Sequence, residues 1–184
     1  RLSNTLYRLQ VIQHKLGDTS LRLEQKDRDF FNKCTEAQLI KNPERATIYA
    51  NECAEIRKMA RVVLHSQMAI EQVALRLETI RDFGDVAAQM SPVVSIVHAV
   101  KNHLTGIMPQ VSYELGAIGE TLNGLVIEVG ETMGTGYDMV ATGEEAQKIL
   151  KEAGIVAEQR MTEKFPELPT TPTLPAGKEA TPRS

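Results

Sequence analysis

Histidine, cysteine and the hydroxyl residues are the side chains here whose types could do chemistry, and spacing decides whether they do. A metal needs converging ligands, three or four residues apart on one helix face. His14, His65, His98 and His103 do not offer this: His98 and His103 are five apart, on different faces, with no neighbouring carboxylates. They read as satisfied or exposed histidines. Many Ser and Thr are present, but none sits in a nucleophile motif. The run Gly130-Glu131-Thr132-Met133-Gly134-Thr135-Gly136 follows helical sequence rather than a strand and carries no Lys-Ser or Lys-Thr, so it is not a phosphate loop. No catalytic constellation, metal site or cofactor site is expected, and the chain does not read as an enzyme. Cys34 and Cys53 are the only cysteines. They flank Asn42-Pro43 almost symmetrically, so they either face each other across a hairpin as a disulfide or serve as two buried free thiols.

The elements that carry these residues are written in a heptad. Leu2, Leu9, Leu16, Leu23, Phe30 and Ala37 recur every seven residues, with Leu6, Gln13, Ser20, Asp27 and Cys34 between them. After the turn, Tyr49, Cys53, Ile56, Ala60, Val63, Gln67, Ile70, Ala74 and Leu77 continue the four-three alternation. Such a rhythm puts one apolar stripe on one helix face, and the stripe needs a partner. Two helices of about 38 residues, joined by a tight turn, give an antiparallel hairpin on the order of 55 Å long. Asn42 is the expected N-cap, with Pro43 in the first helical position and Glu44 in the first turn. The second helix is expected to reach about Gln89, where Ser91-Pro92 breaks or kinks it. Val93, Val97, Val100, Leu104 and Ile107 mark a third helix that ends or bends at Pro109. Val111, Leu115, Ile118, Leu122, Leu125 and Val129 mark a fourth.

The expected fold is therefore all-α, a long antiparallel hairpin followed by shorter helices. Its organisation is a helical core over 1–132 (hairpin 2–90, shorter helices 92–132) and a flexible joint over 133–143. An amphipathic helix over 144–164 and a disordered, Pro-rich tail over 165–184 complete it. Of the 184 residues 42% are hydrophobic but only 4% aromatic, with no Trp, which suits an aliphatic helical core. The formal net charge of -3 gives no argument for nucleic acid as a partner. No apolar run reaches the roughly 18 residues a spanning helix needs. Because the chain begins at Arg1, within helical sequence, an upstream anchor stays open.

Charge is segregated. Residues 1–41 carry eight Lys or Arg against five Asp or Glu, whereas residues 91–143 carry Lys101 against Glu114, Glu120, Glu128, Glu131 and Asp138. The basic front can fold against the acidic middle of the same chain or of a neighbouring copy. Arg1, Arg8, Lys15 and Arg22 recur every seven residues beside the seam. This stripe is either a solvated face or a surface for anionic membrane, where each basic residue is worth roughly 1 kcal/mol. In the tail, Phe165-Pro166-Glu167-Leu168-Pro169 is either a plain linker or a pre-extended segment that docks in a groove between partner helices.

Together these features resemble the ESCRT-III family, and most closely its archaeal CdvB-like cell-division branch. The resemblance rests on the basic first helix, the hairpin turn Lys41-Asn42-Pro43-Glu44, the long second helix, the acidic shorter helices and the Pro-rich tail. The stretch from Ile70-Glu71-Gln72-Val73-Ala74-Leu75-Arg76-Leu77-Glu78-Thr79-Ile80 into Met90-Ser91-Pro92-Val93-Val94 carries it further. It implies homo- and hetero-polymers with family paralogues on anionic membrane, which constrict and cut membrane in cytokinesis or vesicle budding. It also implies disassembly by an AAA ATPase whose helical MIT domain grips a tail motif. Phe165, Pro166, Leu168 and Pro169 are similar to the Pro-rich form of that motif. The implied location is cytoplasmic, peripheral on the inner face of the plasma membrane at the division site. Some members carry a C-terminal winged helix or an N-terminal inserting segment; this sequence shows neither, so a short paralogue recruited by other members is expected. A soluble coiled-coil adaptor with no membrane or polymer role is the rival expectation from the same seams.

Overall fold

The structure is a computed structural model that describes residues 1–84, 86–133 and 139–168, with the backbone alone at 86–89, 129–133 and 139–142. The described residues form five helices and no strand: α1 (Leu2–Leu39), α2 (Pro43–Phe83), α3 (Val86–Leu104), α4 (Pro109–Met133) and α5 (Met139–Lys164).

The hairpin turn forms as its residue types dictate. The Asn42 side chain accepts a hydrogen bond from the Arg45 amide at 3.2 Å, Pro43 occupies the first turn, and Glu44 complements the helix dipole there. At the end of α1 the Lys41 amide donates to the Gln38 carbonyl and the Asn42 amide to the Ala37 carbonyl, the two bonds of a Schellman closure. Lys41 takes the left-handed position, with φ of 56°, where glycine is the usual occupant.

The expected break at Ser91-Pro92 lies elsewhere. Gly84, with φ of 76°, caps α2 and donates to the Ile80 carbonyl at 2.8 Å, so the chain has turned before Pro92 is reached. Pro92 then sits inside α3, buried, and removes one backbone donor without ending the helix. Pro109 does open a new helix, directly after Met108 bonds back to the Leu104 carbonyl. The last helix starts at Met139 rather than Glu144.

The α1–α2 seam buries Leu6, Leu9, Leu16 and Leu23 against Ile56, Ala60, Val63, Ile70 and Leu77. A smaller cluster of Cys34, Ala37 and Ala46, with Tyr49 and Ala50 against it, closes the tip. Along its second half α2 is covered by α3 and α5 as well as α1. That explains why Leu64, Met68 and Ala69, off the two-helix stripe, are also buried. The α3 stripe (Val93, Val97, Val100, Leu104) meets the α4 stripe (Val111, Leu115, Ile118, Leu122) in a second hairpin. Helix α5 brings Ala146, Ala153 and Ala157 to α2 and α3, small residues that let its backbone come close.

Candidate functional site

Two surfaces and one buried pair are the candidate sites of this chain. The first surface is the basic heptad on α1. Helix α4 runs antiparallel beside it, and its carboxylates meet the stripe: Lys15 Nζ lies 2.9 Å from Glu114 Oε1, and Arg1 Nη1 lies 3.0 Å from Glu128 Oε2. The bases are fourteen residues apart on α1 and the acids fourteen apart on α4, so both helices use the same two-heptad period. That register puts Arg8, half-buried, opposite Thr121. Arg22 is exposed and lies past the start of α4. Lys15, Asp18, Thr19 and Arg22 form one wall of an open groove, and Met108, Pro109, Gln110, Val111 and Tyr113 form the other. The four basic residues expected on one face are therefore on one face, with α4 drawn across part of it. Both ion pairs are substantially solvated, so they bias the packing weakly rather than lock it.

The second surface is the start of the tail. Phe165 was expected outside the packed helices, yet it is 6% exposed and belongs to the main core cluster. The Arg57 guanidinium carbon sits 5.5 Å from the centre of its ring. Pro166 is exposed and Leu168 half-buried; Pro169 lies outside the described residues. Helix α5 reaches this position by running antiparallel along α2, fastened by Arg76–Glu145 and Arg61–Glu158 ion pairs. Between them the His65 Nε2–H donates to the Leu150 carbonyl at 2.8 Å.

Beneath Phe165 is the buried pair. Arg57 donates from Nε to Asp27 Oδ1 at 2.8 Å and from an Nη to Oδ2 at 3.1 Å, a two-bond fork across the α1–α2 seam. The Asp27 side chain is 3% exposed. Asp27 is a seam residue by its spacing, whereas Arg57 lies off the heptad stripe. An acid at an apolar seam position was the available signal, because a buried carboxylate demands a counter-charge.

The cysteines resolve to the second of their two readings. Both are free and buried. The Cys34 thiol donates to the Ala46 carbonyl at 3.3 Å and Cys53 to the Asp27 carbonyl at 3.6 Å. Burial pushes both thiols up, Cys53 to about 11 with the Asp27 carboxylate adding to it. Such thiols are protonated and poorly nucleophilic. His65 and His103, remote in sequence, bring their rings to 6.0 Å. Among the described residues no group of three or more His, Cys, Asp or Glu could hold a metal ion.

These features define a class: an all-α, long-hairpin protein whose distinctive chemistry lies on charged and apolar surfaces. The comparisons carry this to a family. The chain is 44% identical over 169 residues to Cell division protein B1 of Sulfolobus acidocaldarius, covering 92% of this chain and 79% of that relative. It is 34% identical over 166 residues to Cell division protein B of the same organism, covering 90% of this chain and 64% of the relative's length. The chain belongs to this CdvB-like ESCRT-III family of cell-division proteins. No protein-family model matches the chain. No solved structure matches it.

Proposed function

We propose that this chain acts in cell division as a non-enzymatic, membrane-associated protein that polymerises with its own copies and with paralogues, constricts membrane, and is taken apart by an AAA ATPase. Family membership supports the role in division. The observation that carries the membrane part is the α1 stripe. Arg1, Arg8, Lys15 and Arg22 share one face of a long hairpin, and the acids that pair with Arg1 and Lys15 belong to a different helix pair. An anionic bilayer offers the same charges as Glu114 and Glu128 in far greater number. Lifting α4 from α1 leaves the stripe whole, and a row of copies multiplies a weak single-copy affinity. The Gly84 turn and the connection before Pro109 are the joints at which such an opening occurs. Among the described residues no helix is long and apolar enough to cross a membrane. The site of action is the inner face of the plasma membrane at the division site.

Charge reversal on α4 tests this. Glu114→Lys together with Glu128→Lys removes both ion pairs without touching the seam. In negative-stain microscopy with anionic liposomes, this variant should coat and tubulate them at a lower protein concentration than wild type. Equal coating by both, or coating of neutral liposomes, contradicts the reading.

A further inference from the structure

Two imidazoles that the sequence holds far apart meet where α2 and α3 run side by side. His65 lies nineteen residues before Gly84 and His103 nineteen after it, so the α2–α3 turn brings them level. Their ring centres are 6.0 Å apart and the rings are tilted by 35°. An imidazole–metal bond is about 2.0–2.1 Å long, so two rings on one ion stand roughly 5–6 Å apart, centre to centre. The His65 tautomer is already that of a ligand. Its Nε2 lies 2.8 Å from the Leu150 carbonyl oxygen, which can only accept, so the proton is on Nε2 and the lone pair on Nδ1. Metal-bound histidines have their second nitrogen held in this way by a carbonyl or a carboxylate. His103 is exposed in the last turn of α3. Glu158 lines the groove beside His65, but Arg61 engages it, so the donors of this place are the two rings.

We propose that His65 and His103 form a two-histidine site for a late first-row transition-metal ion, with water filling the remaining positions. Two neutral nitrogens without a thiolate suit Zn²⁺, Ni²⁺ or Cu²⁺, and the usual order of affinity puts Cu²⁺ first. Mg²⁺ and Ca²⁺, which take oxygen ligands, do not fit. One ion held by both rings ties α2 to α3 at the end of the pair remote from the Gly84 turn. A swing of α3 about Gly84 parts the ligands most at that end. The ion therefore binds the closed arrangement and stabilises it by mass action. Resistance to opening on membrane then follows, a step that rests on the proposed function.

The experiment is calorimetric titration of the intact, tag-free chain with Zn²⁺, Cu²⁺ and Mg²⁺ in a non-chelating buffer. The comparison chains are His103→Ala, His65→Ala and, as a control, His14→Ala/His98→Ala. His103 is exposed, so its removal leaves the packing in place, and circular dichroism checks each variant. Wild type should bind one ion, Cu²⁺ more tightly than Zn²⁺ and Mg²⁺ not at all. Each single variant should lose at least tenfold in affinity and the control none. The paramagnetic resonance spectrum of the Cu²⁺ form should show two imidazole nitrogens in wild type and one in His103→Ala. Zn²⁺ should raise the melting temperature of wild type but not of His103→Ala. No binding at millimolar Zn²⁺ or Cu²⁺, or binding that survives both single substitutions, overturns the site and leaves a plain ring contact. Binding without a rise in melting temperature overturns the tie between helices. Zn²⁺ should also raise the protein concentration at which wild type coats anionic liposomes, with no such change in His103→Ala. Equal curves with and without Zn²⁺ overturn the resistance to opening. No coating by either chain removes the proposed function and that step with it, and the ion site then stands or falls on the titration.

Discussion

Arg57 and Asp27 form a buried ion pair across the hairpin seam. A fork between two buried ions is worth little against an apolar substitute, but breaking it by removing one partner strands the other in the seam. Arg57→Ala is expected to cost about 3–5 kcal/mol in urea melts, and the double change Asp27→Leu/Arg57→Met to recover most of it. A second residue-scale expectation comes from Cys53. Its thiol titrates near 9.0 when unfolded and about 11 when folded, so the unfolded chain releases that proton first. The contribution is complete below pH 9 and is lost as pH rises through 11, at about 1 kcal/mol per unit. Between pH 8 and 10.5, wild type should therefore lose more stability than Cys53→Ala; parallel losses contradict the assignment. Lys41 offers a third. It holds a left-handed φ of 56°, so Lys41→Gly should raise stability by up to about 1 kcal/mol in the same melts. Of these features the Asn-Pro turn was legible in advance, because Asn42, Pro43 and Glu44 act through local backbone chemistry. The Arg57 partner was not. The heptad says which residues enter the seam, whereas the level at which an off-stripe side chain reaches across depends on the packed register.

At the scale of elements, the seam behaves as its periodicity requires. Leu23 lies at 8% exposure between α1 and α2, so Leu23→Asp puts an unpaired carboxylate there at a cost of several kcal/mol. Unchanged helicity and thermal stability in that variant would remove the seam assignment. The stripes of α3 and α4 were equally readable, since each needs only its own four-three spacing. The α2–α3 boundary was misplaced because proline was taken as the stronger punctuation. Gly84 prevailed: a residue without Cβ accepts the left-handed cap at no steric cost, whereas a proline mid-helix forfeits one bond and can be tolerated. The burial of Phe165 was also beyond local reading. Phe165-Pro166 looks like the start of an extended tail, and only the packing of α5 on α2 brings the ring under Arg57.

The whole molecule is a balance between a basic hairpin and an acidic helix pair folded back on it. The segregation of charge along the chain foreshadowed this contact, and the common two-heptad spacing of Arg1–Lys15 and Glu114–Glu128 gives it a register. Exposed pairs of this kind weaken with salt, as does attraction to anionic lipid. On the proposed function, the balance between closed body and membrane depends on how many basic residues the surface engages at once. What composition and spacing left open, a solvated face or a membrane face, turns on whether that stripe binds lipid. The direct measurement is co-sedimentation with liposomes of wild type and of a variant carrying Arg8→Glu, Lys15→Glu and Arg22→Glu. Wild type should pellet with anionic but not neutral liposomes and be released as salt rises, and the folded triple variant should stay in the supernatant throughout. Equal, salt-independent pelleting with both lipid types, or undiminished pelleting of the triple variant, would contradict the account.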